Sequence, residues 1–316
     1  MALRTRREML RSTGAVAGAV TTVGLAGCVG GFVGSSQVRV SSKRFTEQNI
    51  LGYMAIEALK ANTELSTVDE TGLGGTTQNF QALKSGDIDM YWEYTGTAWN
   101  TLPPQHNKII NDPKKLYQEV KKDFNQEHSL SYLDRAPLDN TFVLMANPDW
   151  VEKTGIKSLS DFAKYVNNGN TDFKLALTAE FLGRADGWEG VAKAYEFTDA
   201  LDKLKSNINQ VGIGLTYQIV GKGEAQIGLG FNTNPNIPRY NLTVLEDPQE
   251  FFVAYNPAPL VDGKLVENNS SIQDALNPIS PKLTTDQIRK LNKRVSIDNQ
   301  GPQKVAREFL SSEGLL

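Results

Sequence analysis

Apolar positions along this chain switch repeatedly between a spacing of two and a spacing of three to four. Residues 37–42 alternate, with Val38 and Val40 on one side, and predict a first strand. Residues 46–62 put Ile50, Leu51, Met54, Ile56, Ala58 and Leu59 on one helical face. A second strand follows over 66–70, then a Gly-rich turn at 72–77 that opens a helix through Leu83, then a third strand over 87–93. Alternation of this kind predicts an α/β fold with parallel strands joined by crossover helices. Farther on, a charged helix is predicted over 112–127 and a nearly continuous apolar strand over 141–146, as a strand covered on both faces requires. A helix with Ser160 as its cap covers 158–166. Strands are predicted at 173–179, 226–230 and 242–247. Thr284-Thr285-Asp286-Gln287 matches a capping box, and Gly301-Pro302 starts a last helix running to about 311.

One pattern recurs. Lys84-Ser85-Gly86-Asp87 leads through a short strand to Tyr94 and then Thr97; Gly221-Lys222-Gly223-Glu224 leads through another to Phe231 and then Thr233. In each, an aromatic sits eight residues after the Gly. Two similar units, each ending a strand on a ring, predict two lobes facing each other across a cleft, with the ligand at the carboxyl ends of the strands. The chain is expected to leave the first lobe near Asn140 and return after Asn234, so that lobe 1 spans 37–140 plus 235–316 and lobe 2 spans 141–234.

The beginning of the chain reads as processing signal. Arg4, Arg6, Arg7 and Arg11 form a basic region, and Thr5-Arg6-Arg7-Glu8-Met9-Leu10 fits a twin-arginine export pattern. A weakly apolar run follows and ends in Leu25-Ala26-Gly27-Cys28, similar to a lipoprotein cleavage site. Residues 1–27 are therefore expected to be removed, Cys28 to carry lipid, and 28–36 to serve as a flexible linker to the outer face of the cell membrane. Cys28 is the sole cysteine, which excludes a disulfide and a cysteine metal site. Overall charge is −3; residues 1–27 contribute +3 (four Arg, one Glu), which leaves −6 on the rest and speaks against nucleic acid as a partner. His106 and His128 stand apart, without metal-ligand spacing.

Several segments together resemble the substrate-binding proteins of ABC importers for glycine betaine, choline and related quaternary-ammonium solutes. They are Ser42-Lys43-Arg44-Phe45-Thr46-Glu47-Gln48, Gly72-Leu73-Gly74-Gly75-Thr76, Glu93-Tyr94-Thr95-Gly96-Thr97, Asn140-Thr141-Phe142, Arg184-Ala185-Asp186-Gly187, and Leu245-Glu246-Asp247 with Tyr255 beyond it. The resemblance implies a two-lobed fold of the type II periplasmic-binding-protein kind, closing on a ligand in the inter-lobe cleft. It implies an aromatic cage of Tyr94, Phe142, Phe231 and Tyr255 for the ammonium head, and a carboxylate clamp of Lys43, Thr97 and Arg184. Betaine-binding members often carry Tyr where Phe142 and Phe231 stand here; Phe keeps the π-face and lacks the hydroxyl. The implied partners are a membrane permease and its cytoplasmic ATPase, the chain working as a monomer with no cofactor.

The residue types suit that ligand. A quaternary ammonium donates no conventional hydrogen bond, and aromatic faces meet its diffuse charge at roughly 0.5–2 kcal/mol each. Arg grips a carboxylate bidentately, Lys as a point charge. Phe142, which begins an apolar run, serves either a core or a cage, while Tyr217 reads as core. Two other functions compete: a binding protein of the same architecture for another small zwitterion or amino acid derivative, and an exported hydrolase. The hydrolase lacks a Gly-x-Ser-x-Gly elbow and has two His only, so no catalytic residue is assigned.

Overall fold

The computed structural model describes residues 37–106, 108–183 and 187–316. The expected export signal 1–27, Cys28 with the expected linker 28–36, and Arg184 lie outside the described residues. Ten strands are found among them. In chain order they are β1 (Gln37–Lys43), β2 (Ser66–Gly74), β3 (Met90–Tyr94), β4 (Leu130–Tyr132) and β5 (Phe142–Ala146). The rest are β6 (Leu175–Leu177), β7 (Ile208–Gln210), β8 (Ile227–Phe231), β9 (Thr243–Val244) and β10 (Pro257–Asp262). They form two five-stranded sheets, ordered β2-β1-β3-β10-β4 and β7-β6-β8-β5-β9.

Both sheets are mixed, where the sequence predicts parallel strands. β1 runs parallel to β2 and β3, and β6 to β7 and β8, but β10 is antiparallel to β3 and β5 antiparallel to β8. The reason lies in how the chain changes lobe. β3 and β8 run toward the cleft and end there, at Tyr94 and Phe231. β5 and β10 receive the chain from the opposite lobe, so they start at the cleft and run away from it; Phe142 lies opposite Phe231 and Pro257 opposite Tyr94. A strand fed this way needs no crossover helix, the device that makes neighbours parallel.

Each sheet is covered on both faces. Met90 and Trp92 of β3 point into a core shared with the helices Thr46–Asn62 and Pro302–Ser312, while Tyr91 between them packs with Phe80, Phe124 and Tyr132 on the other side. In the second lobe Leu144 and Ala146 join Phe162, Leu175 and Phe197, and Val143 and Met145 join Tyr217 and Val220. Two buried faces explain the unbroken apolar run at 142–146.

Several boundaries differ from expectation. The second sheet takes in β9, Leu245 is buried in the same core, and Phe251 and Phe252 pack on it, so the second lobe runs past 234 and the chain returns through 253–256. The helix Leu159–Asn167 is capped by Ser158, whose hydroxyl accepts from the Asp161 N–H while the Asp161 carboxylate accepts from the Ser158 N–H; Ser160 is not the cap. The strands expected over 173–179 and 242–247 shorten to 175–177 and 243–244. β10 is absent from the sequence reading because Pro257 and Pro259 argue against a strand. No helix among the described residues is long and apolar enough to cross a membrane.

Candidate functional site

The carboxyl ends of β1, β3 and β8 and the beginning of β5 meet at a cavity of ≈ 620 Å³. Of the seven ligand residues expected from the sequence, Lys43, Tyr94, Thr97, Phe142, Phe231 and Tyr255 line it together. The seventh, Arg184, lies outside the described residues.

The rings come from five places in the chain. Tyr94 is the last residue of β3, and the helix Thr95–Thr101 begins immediately after it. Phe142 and Phe231 are opposed residues of an antiparallel pair, and their rings stack with centroids 5.1 Å apart at 24°. Phe45 lies nearly parallel to Tyr94 at 6.3 Å. Tyr255 reaches the cavity from the returning segment. Its ring rests on Gly96, where a Cβ would come within 2.9 Å of the Ala254 carbonyl and 3.0 Å of the Tyr255 ring. A side chain at 96 would displace that ring.

Polar groups are arranged less simply. Lys43 is buried, and its ammonium donates to the Glu93 carboxylate at 2.5 Å. Glu93, itself fully buried, also accepts from the Tyr91 hydroxyl (3.1 Å) and the Tyr94 N–H (2.7 Å). Lys43 Nζ stands 5.1 Å from the Tyr94 ring centroid. Lys43, one of the three residues expected as a clamp, is thus held in an ion pair at the cavity wall and has only its remaining N–H groups to offer. Glu47, 2 % exposed, accepts from the Tyr94 hydroxyl at 2.7 Å and from Asn292 Nδ2 at 3.1 Å. Burial raises the Glu47 pKa against the opposing pull of hydrogen bonds from Tyr94 and Asn292. Burial, and next the Glu47 charge, push the Tyr94 phenol up, so it stays a donor.

The two lobes touch through polar contacts beside the cavity. Asn140 N–H donates to the Tyr255 carbonyl (3.1 Å), and the Thr233 hydroxyl donates to the Asn140 side-chain oxygen (2.9 Å). Asn292 Nδ2 donates to the Thr233 carbonyl at 3.1 Å. Glu47, Asn140, Asn292 and Glu180 all line the cavity without having been assigned to it from sequence. Glu47 and Asn140 stood inside two of the motifs already singled out. Asn292 sits mid-helix in Thr285–Ser296 and carries no local signal.

Residues 36–312 match the family model for the substrate-binding domain of ABC-type glycine betaine transport systems, OpuAC. The chain belongs to this family. It is a family of extracytoplasmic transport binding proteins rather than of enzymes. The chain is 31 % identical over 292 residues to a glycine-betaine-binding protein of Pseudomonas aeruginosa, covering 90 % of this chain and 91 % of the relative. It is 30 % identical over 284 residues to CosB, a chemotactic signal transduction system substrate-binding protein of Halobacterium salinarum (88 % and 84 % covered). Among solved structures, apo YehZ from Escherichia coli superposes with a TM-score of 0.77 at 28 % identity, covering 89 % of this chain and all of that one.

Proposed function

We propose that this protein captures a small quaternary-ammonium solute, such as glycine betaine, choline or carnitine, between its lobes and hands it to an ABC permease, without chemistry of its own. The observation that carries the reading is the placement of Tyr94, Phe142, Phe231 and Tyr255 around one cavity between the two sheets. Four faces at roughly 0.5–2 kcal/mol each supply much of the about 8 kcal/mol that micromolar affinity needs. Thr97 and the remaining N–H groups of Lys43, with Arg184 as the resemblance implies, would receive a carboxylate or hydroxyl tail. Because the rings come from both lobes, a bound solute favours the closed arrangement, which a permease can recognise. The monomer would be exported by the twin-arginine signal and held at the membrane by lipid on Cys28.

Titration calorimetry with glycine betaine, choline and carnitine tests the reading. At least one is expected to bind in the micromolar range, and Phe142→Leu and Phe231→Leu, which keep bulk and remove the π-face, should each weaken it about tenfold. Flat traces for all three solutes defeat the proposal. The anchor is tested separately: Cys28→Ala should move the protein from the membrane fraction to the soluble one, and retention would dismiss the lipid.

A further inference from the structure

Tyr217 reads as core from the sequence, and it is fully buried on the helix Ile213–Gly221. Its hydroxyl does more than fill space. β8 pairs with β5 along its whole length to Phe231, whereas its register with β6 covers Ile227 and Gly228. Beyond that register the helix takes the place of the neighbouring strand. The Thr216 hydroxyl reaches the Leu229 carbonyl at 2.7 Å, and the Phe231 N–H donates to the Tyr217 hydroxyl at 2.7 Å. Glycines in β8 let the helix come this close. A Cβ at Gly228 would stand 2.6 Å from Val220, and one at Gly230 would stand 2.9 Å from the Tyr217 ring and 3.1 Å from its hydroxyl. The residue held in this way is one of the cavity's rings: Phe231 lines the cavity and stacks on Phe142. An N–H cut off from water needs an acceptor, so a strand end that lost this one would shift to find another. Its ring would move with it, and the attraction of a ring for a cation depends on the face being presented.

We infer that Tyr217 is a positioning residue for the solute site: its hydroxyl fixes the end of β8 and so aims the Phe231 ring at the cavity. The inference rests on the reading of the cavity as a quaternary-ammonium site. Tyr217 acts through Phe231 and not on the solute, which makes its contribution conditional on that ring.

The test is a double-mutant cycle on solute affinity, by calorimetry on the full chain with glycine betaine, choline and carnitine. Tyr217→Phe should weaken the binding of a solute that wild type holds by about three- to tenfold. In a Phe231→Leu background the same substitution should change affinity by less than about 1.5-fold, because the ring it aims is gone. Val220→Ala thins the contact of the same helix with β8 at Gly228; it should lower stability to urea and leave affinity within about twofold. Equal losses from Tyr217→Phe in the two backgrounds, or a loss from Val220→Ala as large as from Tyr217→Phe, overturn the inference. A wild type that binds none of the three removes the proposed function instead, and positioning is then read without solute. The Phe231 amide and ring resonances should move in NMR spectra of Tyr217→Phe and stay in place in Val220→Ala; unmoved resonances in Tyr217→Phe refute the role. Should Tyr217→Phe fail to fold by circular dichroism, Gly230→Ala, whose Cβ would displace the Tyr217 ring, takes its place in the same cycle, with the same outcomes deciding.

Discussion

Arg289, on the helix Thr285–Ser296 of the first lobe, grips Asn232 of the second. Its Nε donates to the Asn232 backbone carbonyl and its Nη2 to the Asn232 side-chain oxygen, both at 2.5 Å. Asn232 directly follows Phe231, so the grip fixes the loop that leaves one of the cavity's rings. Asp286 holds the guanidinium from the other side at 3.1 Å.

Removing this tie should loosen the arrangement in which both lobes surround the cavity. Arg289→Ala is expected to weaken solute binding by about three- to tenfold, mostly through faster dissociation. Arg289→Lys should not restore it, because an ammonium cannot span a backbone and a side-chain acceptor as the planar fork does. Stopped-flow or surface-binding kinetics read the effect. Unchanged dissociation in Arg289→Ala would show that the contact is incidental.

Lys43 and Glu93 form a buried ion pair whose partners depend on each other. Lys43→Met strands a fully buried carboxylate, and stability should drop by about 3–5 kcal/mol. The double variant Lys43→Met/Glu93→Gln should regain most of it, since no uncompensated charge is left. Urea unfolding of the two variants beside wild type checks this. A single variant within about 1 kcal/mol of wild type would mean that Lys43 is held for the ligand alone.

Asp139 gives the fold a pH dependence. Burial raises its pKa from 3.8 to about 6, opposed by the backbone N–H groups of Tyr255 and Thr141 and by Arg135. The native state therefore takes up its proton more readily than the unfolded chain does. Its contribution to stability is complete below 3.8 and is lost as pH rises through about 6. Glu47, raised by burial, acts in the same direction. Asp139→Asn keeps an oxygen for the Tyr255 N–H, which donates to Asp139 at 2.7 Å. The variant should show a shallower fall in melting temperature between about pH 4 and about pH 7 than wild type. Parallel profiles would refute the shift.

Much of the scaffold was readable along the chain because its signals are local. The helix Thr46–Asn62 was visible in one apolar stripe, and the cap Thr284, which accepts from the Gln287 N–H, in four letters. The repeated run into Tyr94 and Phe231 pointed at two strand ends, and both rings meet the cavity. What was misread depends on distant partners. β10 breaks the strand rules at Pro257 and Pro259, and its place between β3 and β4 overrides them. β9 belongs to the second sheet only through its pairing with Met145 and Ala146. The strand directions followed from where the chain crosses between lobes, which no window of residues records.

The same division runs through the site. Sequence alone determined the family-like motifs, the two-lobed α/β plan and the rings available to it, because hydrophobic period, turn residues and residue type are properties of neighbours in the chain. Tertiary structure decided the electrostatics. Lys43 lies 50 positions from Glu93, Glu47 lies 47 from Tyr94 and 245 from Asn292, and Arg289 lies 57 from Asn232. Whether a charge is paired, buried or left facing a cavity depends on which segments the fold brings within a few ångströms, and Coulomb energy and desolvation act through that distance in space.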